Sequence, residues 1–286
     1  MFVFKQKPKQ NIIITLSTCW YIVKSKFDVT TYSKWIKNML SIVNNFNLVI
    51  YTDIESLNKI RGLIPLSNKK IKIIIKPFEE FYTYRYKDFW IKNHEQSKLK
   101  LHTNIDWRLV MLWNEKVFFV NETIQNKYFD TIYYCWCDIG YFRNRNNDLH
   151  TKYLINWPNN EKLLDSSIFN DSYIHYGCVQ NNTFIYVKLY NDIKNHYTNK
   201  LSKQPCINFE DDCFAGGFFI LNHNLIHIYT KLYNDKLLYY FTNEFIIKDD
   251  QTIIMDIIFK NQNLFYIHTE DIRNLDNWFM FQRLLL

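Results

Sequence analysis

Short apolar runs mark three places along the first part of the chain. Residues 12–16 (IIITL) form the first run, which the polar pair Ser17 and Thr18 follows. Residues 48–51 (LVIY) form the second, and residues 71–75 (IKIII) form the third. Runs of this length, bounded by polar residues, are typical of short buried strands. Three strands are therefore predicted here.

Amphipathic stretches separate these runs. One stretch repeats apolar residues at intervals of three and four, which predicts a helix with Thr30 or Thr31 as its N-cap. A shorter helix is predicted at residues 54–60. Strands that alternate with helices predict a parallel sheet with right-handed crossovers. The apolar positions of the first helix are Tyr32, Trp35, Ile36, Met39, Leu40 and Val43.

The rest of the chain is less regular. Residues 78–120 are dense in aromatics at helical spacing and predict two or more helices, and residues 131–136 predict a fourth strand. Residues 144–203 are polar and irregular, so a loop-rich region with short helices is expected. A helix that begins at Asp249 or Asp250 would turn its isoleucines towards the core.

The composition fits a globular protein. The chain has 286 residues, 48% of them apolar, which is enough for one large α/β domain or two modest ones. No apolar stretch is long enough for a membrane span, and residues 1–10 carry three lysines without an apolar centre, so a cytoplasmic protein without a signal peptide is expected. The six cysteines have no metal-binding spacing and are expected to be reduced core residues.

The net charge of +7 has two interpretations. It can favour nucleic acid, but the basic residues are spread out and form no long block. It suits a nucleotide diphosphate equally well. We therefore expect no nucleic-acid partner.

Asp138 follows the predicted fourth strand directly. In open α/β sheets, ligands bind outside the carboxyl ends of the strands, so Asp138 is placed to bind one. Alternatively, Asp138 and Gly140 form an ordinary turn, with Gly140 at positive φ. The sequence leaves both interpretations open.

Three further motifs carry candidate chemistry. Gly216 and Gly217 follow an acidic stretch in a chain with only five glycines, which indicates close approach by a ligand or by another segment. The residues KDDQ at 248–251 either act in a site or only cap a helix. His268 is either a metal ligand or a structural histidine.

Four of these stretches occur together in one order: LWNEK with FFV at 112–120, WCDIG with FR at 136–143, AGGFF at 215–219, and DDQ at 249–251. In this order the chain resembles the HtrL/YibB-type (WlaTC/HtrL) glycosyltransferase family. The resemblance runs from about residue 12 to residue 278.

The resemblance implies a single α/β domain over residues 1–286, GT-A-like and Rossmann-related, with a mostly parallel central sheet flanked by helices. Residues 1–143 would bind a nucleotide sugar, with a UDP-sugar as the expected donor. Residues 144–286 would bind a glycan or other hydroxyl acceptor and carry the catalytic groups.

The resemblance also implies a divalent cation, Mn²⁺ or Mg²⁺, held by an Asp-x-Asp motif against the donor diphosphate. The matching place here reads Trp136, Cys137, Asp138, so the first carboxylate is missing. We expect Asp138 to bind the metal with help from His268 or another carboxylate. Lys116 or Arg143 would share the neutralisation of charge.

The implied catalytic groups lie in the DDQ motif. Asp250 is the first candidate for a general base and Asp249 the second, with Gln251 turned towards the sugar or acceptor. A base is needed only if the reaction inverts the anomeric centre, and the stereochemistry stays open. Fold geometry places the remaining predicted donor-binding residues near the nucleotide or the sugar: Thr15, Ser17, Thr18, Thr52, Asp53, Gly140, Gly216 and Gly217.

The same residues are also compatible with other functions. The missing first carboxylate suits a non-catalytic module that binds a glycan or a nucleotide. A nucleotidyltransferase would use the same sheet, and a nucleic-acid protein would use the charge and the aromatics for stacking. The oligomeric state is left open.

Overall fold

The computed structural model of the chain describes residues 12–65, 67–199, 203–205, 211–272 and 274–286. Cys206, Glu210 and the lysine-bearing start of the chain, all used in the sequence predictions, lie outside these ranges. The strands of the described residues are β1 Ile14–Cys19, β2 Asn47–Thr52, β3 Ile71–Ile75, β4 Tyr133–Cys137, β5 Ile174–Cys178, β6 Phe214–Asn222 and β7 Phe265–His268. The α-helices are α1 Val29–Ser41, α2 Ile54–Ile60, α3 Lys87–Gln96, α4 Lys100–Asn104, α5 Trp107–Asn114, α6 Lys116–Gln125, α7 Asn160–Leu164, α8 Thr183–Thr198, α9 Ile226–Thr242, α10 Asp250–Lys260 and α11 Met280–Leu284.

The strands of the described residues form one seven-stranded sheet in the order β3-β2-β1-β4-β6-β5-β7. Pairings among β1, β2, β3 and β4 are parallel, as is the pairing of β5 with β7. Only β6 runs against its two neighbours in this sheet. The predicted fold class, α/β with a mostly parallel central sheet flanked by helices, is confirmed.

Alternation along β4 shows why helices cover both faces of the sheet. Tyr134 and Trp136 pack in one core cluster with residues of α5, α6, α9 and α10. Tyr133, Cys135 and Cys137 pack in a second cluster with residues of α1, α2 and the C-terminal segment. Successive side chains of a strand point to opposite faces, so both faces of this central strand are buried.

The local predictions for the start of the chain are close to the structure. The second helix and the third strand match α2 and β3 to the residue. The first strand continues through Cys19, so Ser17 and Thr18 belong to β1 and not to the loop after it. The first helix begins at Val29, and its N-cap is Asp28, whose carboxylate accepts a hydrogen bond from the Thr31 amide. The predicted caps Thr30 and Thr31 are therefore wrong.

The middle region holds more regular structure than expected. Residues 144–203 were predicted to be loop-rich, yet they contain β5, which pairs with β6 and β7, and the 16-residue helix α8. The described cysteines, Cys19, Cys135, Cys137, Cys178 and Cys213, are free and buried, as predicted. Among the residues that the structure describes, no helix combines the length and the apolar character needed to cross a membrane.

Candidate functional site

Asp138 lies directly beyond the last residue of β4, at the edge of the sheet where the parallel strands end. Its amide donates to the Gly217 carbonyl (2.8 Å), and its own carbonyl accepts from the Tyr141 amide (2.8 Å). The backbone of Asp138 therefore does form a turn. Its carboxylate is free of that turn: Oδ1 accepts from the Trp136 indole (2.7 Å), and the side chain is 39% exposed.

Lys116 connects Asp138 to the start of α10. Its ammonium lies 3.1 Å from Asp138 Oδ1 and 2.8 Å from Asp250 Oδ2, and it donates to the Gly216 carbonyl (2.8 Å). The Lys116 side chain is only 7% exposed and that of Asp250 only 5%. Three elements, β4, α6 and α10, thus bring one cation and two carboxylates together.

Charge and burial act against each other in this cluster. Burial alone would lower the pKa of Lys116, but the carboxylates of Asp138 and Asp250 outweigh it and raise that pKa. Burial raises the pKa of Asp250 to about 7, although Lys116 opposes the rise. Lys116 is therefore charged at neutral pH, while Asp250 is poised between its two protonation states.

The residues next to Lys116 in the LWNEK motif hold its helix in place. Glu115 is buried, and its carboxylate accepts from the amides of Tyr82 (2.7 Å) and Thr83 (2.9 Å). Asn114 accepts from the Tyr233 hydroxyl (2.8 Å), which ties this segment to α9. Within the motif, these two residues position the chain and Lys116 reaches the cluster.

Gly216 and Gly217 make room for the two carboxylates. A Cβ on Gly216 would lie 2.5 Å from Asp250 Oδ2, closer than real Cβ atoms come. A Cβ on Gly217 would lie 3.3 Å from Asp138 Oδ2. The close approach predicted from the glycine pair is therefore made by other segments of the chain, namely the side chains after β4 and at the start of α10.

A second group of charges lies beside the first. The Lys248 ammonium lies 2.6 Å from Asp212 Oδ1 and 3.4 Å from Asp249 Oδ2. The Gln251 amide nitrogen donates to Asp212 Oδ1 (2.8 Å) in the orientation that satisfies both groups. Burial raises the pKa of Asp249, and Lys248 opposes the rise.

Asp249 does not cap its helix. It occupies the N-cap position of α10, but its side chain makes no capping hydrogen bond. Its Oδ1 is buried without a hydrogen-bond partner among the described residues. Because a buried unpaired oxygen is costly, the interpretation of KDDQ as a helix cap and nothing more does not account for this residue.

Both groups line one cavity of about 650 Å³, a size typical of small-molecule sites. A smaller cavity of about 90 Å³ adjoins it and is lined by residues that follow β1, such as Tyr21 and Val23. Charged residues of the large cavity are Lys26, Lys116, Asp138, Arg143, Arg145, Asp212, Lys248, Asp249, Asp250 and Asp276. Its aromatic walls are Phe27, Tyr32, Trp113, Tyr141, Trp278 and Phe279.

Arg143 and Gly140 belong to this wall. The Arg143 guanidinium lies 4.5 Å from the centre of the Trp35 ring and donates through Nε to the Gly140 carbonyl (2.8 Å). A Cβ on Gly140 would lie 2.7 Å from Trp35, so this glycine allows close packing. No glycine of the described residues has positive φ, so the predicted left-handed turn at Gly140 is wrong.

The structure brings together the predicted residues Lys116, Asp138, Gly140, Arg143, Gly216, Gly217, Asp249, Asp250 and Gln251. It places five predicted donor-binding residues outside both cavities. Thr15 and Ser17 are bonded inside the fold to the hydroxyls of Thr131 (2.9 Å) and Thr123 (2.8 Å), and Thr18 is fully buried. At the end of β2, the Thr52 hydroxyl donates to the Trp20 carbonyl, and Asp53 caps α2.

His268 also lies away from the cavity. Its strand, β7, is separated from β4 by β5 and β6. Its Nε2 lies 3.0 Å from His175 Nδ1, and its ring packs against Phe169 and Phe281. The structure therefore does not bring His268 to Asp138, and the predicted pair of metal ligands does not form.

The residues at Asp138 do not fit a divalent cation. Asp138 Oδ1 already contacts the Trp136 indole and the Lys116 ammonium, and Lys116 also occupies the space between Asp138 and Asp250. Nowhere among the described residues do three or more His, Cys, Asp or Glu side chains come together as a metal site. No chemistry of this cluster is therefore assigned to a metal.

Several lining residues escaped the sequence predictions. Lys248 belongs to the KDDQ residues and Asp212 to the acidic stretch before the glycine pair, so both stood in motifs already singled out although neither was named as a site residue. Arg145 is bound by Asp148 (2.8 Å) and Asp276 (2.9 Å), a contact between distant segments that no local pattern indicates.

No protein-family model matches the sequence. No curated protein matches it either.

Among solved structures, the chain is similar to mouse xyloside xylosyltransferase 1 in its apo form, with 12% identity, a TM-score of 0.48, and coverage of 90% of this chain and 85% of that one. It is also similar to galactosyltransferase LgtC in complex with donor and acceptor sugar analogues, with 8% identity, a TM-score of 0.42, and coverage of 85% and 70%. Both are glycosyltransferases. Because both TM-scores lie below 0.5, the function proposed next rests on the cavity alone.

Proposed function

We propose that this protein is a glycosyltransferase that moves a sugar from a nucleotide-diphosphate sugar to a hydroxyl group of a glycan or other acceptor. The observation that carries the proposal is the floor of the large cavity, where Lys116 joins Asp138 to Asp250 at the carboxyl end of β4. Ligands of open α/β sheets bind at this edge.

The composition of the cavity suits the parts of such a donor. Lys26 and Arg143 line it beside aromatic side chains, and these cations can bind phosphate oxygens. Aromatic faces such as those of Trp113 and Trp278 can stack on a base or on a sugar ring. A volume of about 650 Å³ leaves room for more than one substituent.

The reaction needs one bond to break and one to form. The bond from the anomeric carbon to the diphosphate oxygen breaks, and its electron pair leaves with the nucleoside diphosphate. The acceptor oxygen bonds to the anomeric carbon, and its proton passes to a base. Asp250, with a pKa of about 7, has the proton affinity that a general base requires near neutral pH.

The roles of the neighbouring residues follow from their contacts. Lys116 keeps the Asp250 carboxylate oriented, and Asp138 presents an exposed oxygen to the cavity floor. Asp249 has an unpaired buried oxygen that can accept a hydrogen bond from a sugar hydroxyl. Gln251 is held by Asp212 and orients that carboxylate next to Lys248.

In this proposal, as in the sequence prediction, both halves of the chain contribute to the site, but their residues line one shared cavity. Lys116, Asp138 and Arg143 come from residues 1–143, and Asp249 to Gln251 come from residues 144–286. A UDP-sugar is the proposed donor, and membership of the HtrL/YibB-type family is part of the same proposal. Its support is the joint presence in one cavity of residues from all four quoted motifs.

Calorimetric titration of the purified chain tests the proposal. UDP-glucose, UDP-galactose, their N-acetyl forms and GDP-mannose are titrated into wild type, Asp138→Ala and the control Asp171→Ala, whose exposed carboxylate lies outside the cavity. We expect at least one donor to bind to wild type and to the control, and to bind more weakly to Asp138→Ala. Binding of no donor would contradict the proposal.

A second measurement separates transfer from binding. Release of nucleoside diphosphate from the bound donor, with and without simple sugars as acceptors, reports whether the bond breaks. A protein that binds the donor but releases no diphosphate would instead be the non-catalytic binding module.

A further inference from the structure

The Lys116 ammonium lies close to three oxygen atoms of the chain. It faces Asp138 Oδ1 at 3.1 Å, Asp250 Oδ2 at 2.8 Å and the Gly216 carbonyl at 2.8 Å. The Gly216 carbonyl accepts a hydrogen bond from this ammonium, and the two carboxylate oxygens lie within ion-pair distance of it. The cation is thus fixed between the two carboxylates, in the space that any ion bound by both of them would need.

Two other cations, Lys26 and Arg143, also line the cavity, and their contacts differ from those of Lys116. Arg143 uses Nε for the Gly140 carbonyl, and Lys26 lies 5.2 Å from the centre of the Trp113 ring. In the described part of the chain, neither has a carboxylate within ion-pair distance. Arg145, in contrast, is held by Asp148 and Asp276.

Lys26 and Arg143 line the same cavity. Phe27 follows Lys26 in the chain, and the Arg143 guanidinium lies 5.7 Å from the centre of its ring. Because both cations line this one cavity, we expect a ligand bound there to contact both. A ligand with two negative charges on neighbouring groups matches this pair of cations.

We infer that the protein binds the diphosphate of its donor without a divalent cation, with Lys26 and Arg143 holding the phosphates and Lys116 filling the space between Asp138 and Asp250 that a metal bound by both would need. This inference rests on the proposed glycosyl transfer. As the glycosidic bond breaks, the leaving diphosphate gains negative charge, and fixed cations stabilise such charge without reorganisation. The chain supplies these cations itself.

Titration with UDP tests the inference directly, because UDP carries the diphosphate without a sugar. We expect wild type to bind UDP with the same affinity, within about twofold, in EDTA and in Mn²⁺. Lys26→Gln and Arg143→Gln should each weaken binding in EDTA by about 10- to 100-fold, as expected for the loss of a charged hydrogen bond. Both side chains lie at the cavity surface, so these variants should fold.

Electron paramagnetic resonance of Mn²⁺ gives a readout that does not depend on activity. Wild type should leave added Mn²⁺ free in solution. Lys116→Met should bind it, because the variant removes the cation that separates Asp138 from Asp250. Lys236→Met, which removes a buried lysine outside the cavity, is the matched control and should leave Mn²⁺ free.

The outcomes separate the inference from the proposed function. Binding of UDP only in Mn²⁺, or equal binding in EDTA by wild type and both glutamine variants, would overturn the inference and leave glycosyl transfer standing. A Mn²⁺ signal bound to wild type would also overturn it. Binding of neither UDP nor any nucleotide sugar, in either buffer, would contradict the proposed function itself.

Discussion

Two buried lysines pair with aspartates of the same helix, α10, and their surroundings differ. Lys236 of α9 lies 2.7 Å from Asp256 Oδ1. The Asp256 carboxylate also accepts hydrogen bonds from the hydroxyls of Tyr197 (2.8 and 2.9 Å) and Tyr240 (2.9 Å). One cation, one carboxylate and two neutral hydroxyls therefore form a closed group inside the core.

The pair at the start of α10 is open to the cavity. Lys116 is shared by Asp250 and Asp138, and the carboxylate of Asp138 faces the cavity. Burial outweighs the single carboxylate at Lys236 and lowers the pKa of that lysine, whereas two carboxylates outweigh burial at Lys116 and raise its pKa. The Lys236 pair, in which the charges balance and hydroxyls complete the group, therefore stabilises the core. The Lys116 group has one carboxylate more than cations, and this carboxylate can take part in chemistry.

Asp250→Asn should have the largest effect. It removes the proposed base, so the rate of diphosphate release with acceptor should fall by about 10²–10⁴-fold. A carboxyl group with a pKa of about 7 is protonated below that pH and cannot accept a proton, so the wild-type rate should rise with pH through 7 and then level off. Rates measured on both sides of pH 7 check this. A variant that keeps the wild-type rate and pH profile would exclude Asp250 as the base.

Lys236→Met should affect stability and not ligand binding. It leaves Asp256 buried without its cation, so the free energy of unfolding should fall by about 3–5 kcal/mol. Urea denaturation measures this loss, and calorimetry with UDP measures binding. Lys236 does not line the cavity. A loss of UDP affinity in the folded variant would therefore contradict the assignment of a purely structural role to the Lys236 pair.

Gly216→Ala tests the fit of the open pair to the sheet. The new methyl group would lie 2.5 Å from Asp250 Oδ2, so either the carboxylate or β6 must move, at a cost of about 1–3 kcal/mol in unfolding free energy. Denaturant unfolding provides the measurement. Gly62→Ala is the matched control, because its Cβ would meet no atom within 4 Å. Equal stability of the two variants would show that Asp250 does not pack on Gly216.

The smallest expected effect is the loss of folding stability at low pH that comes from the His175 and His268 pair. This pair is buried like the two lysine pairs but contains no carboxylate. Burial lowers the pKa of His175 from 6.5 to about 4 and that of His268 to about 3. The unfolded chain therefore takes up protons below pH 6.5 that the folded chain does not, and stability falls as pH falls towards 4. The loss should be about 1 kcal/mol for each histidine over the first pH unit below 6.5.

Denaturant titrations at several pH values measure this slope. His175→Gln should make it shallower, since one of the two titrating groups is gone. Wild-type stability that does not change between pH 6.5 and 4 would contradict the burial of this pair as neutral rings.

The sequence predicted local features well and pairings between distant segments poorly. Residues 54–60 and 71–75 match α2 and β3 because helix and strand periods are written in consecutive residues. The strand β5 was missed because IHYGC has no long apolar run, and the reversed direction of β6 depends on partners remote in sequence.

The same limit applies to the site. Lys116, Asp138 and Asp250 each stand in a quoted motif, yet no single motif indicates that one lysine binds both carboxylates. The three residues are far apart in the sequence, and only the folding of the chain around the sheet brings them together. Asp53 was predicted for the same reason as Asp138, because it follows a strand, but its carboxylate accepts from the Ser56 amide and caps a helix. Position at a strand end alone did not distinguish the two.

The glycine pair of β6 also limits how this protein can evolve. A side chain can appear at position 216 only in a descendant that has given up or moved the carboxylate at position 250, and the same holds less strictly for positions 217 and 138. We therefore expect each glycine to change together with its aspartate. In a diverged homologue, a bulky residue at either glycine position would indicate that the acidic partner has been lost or has moved.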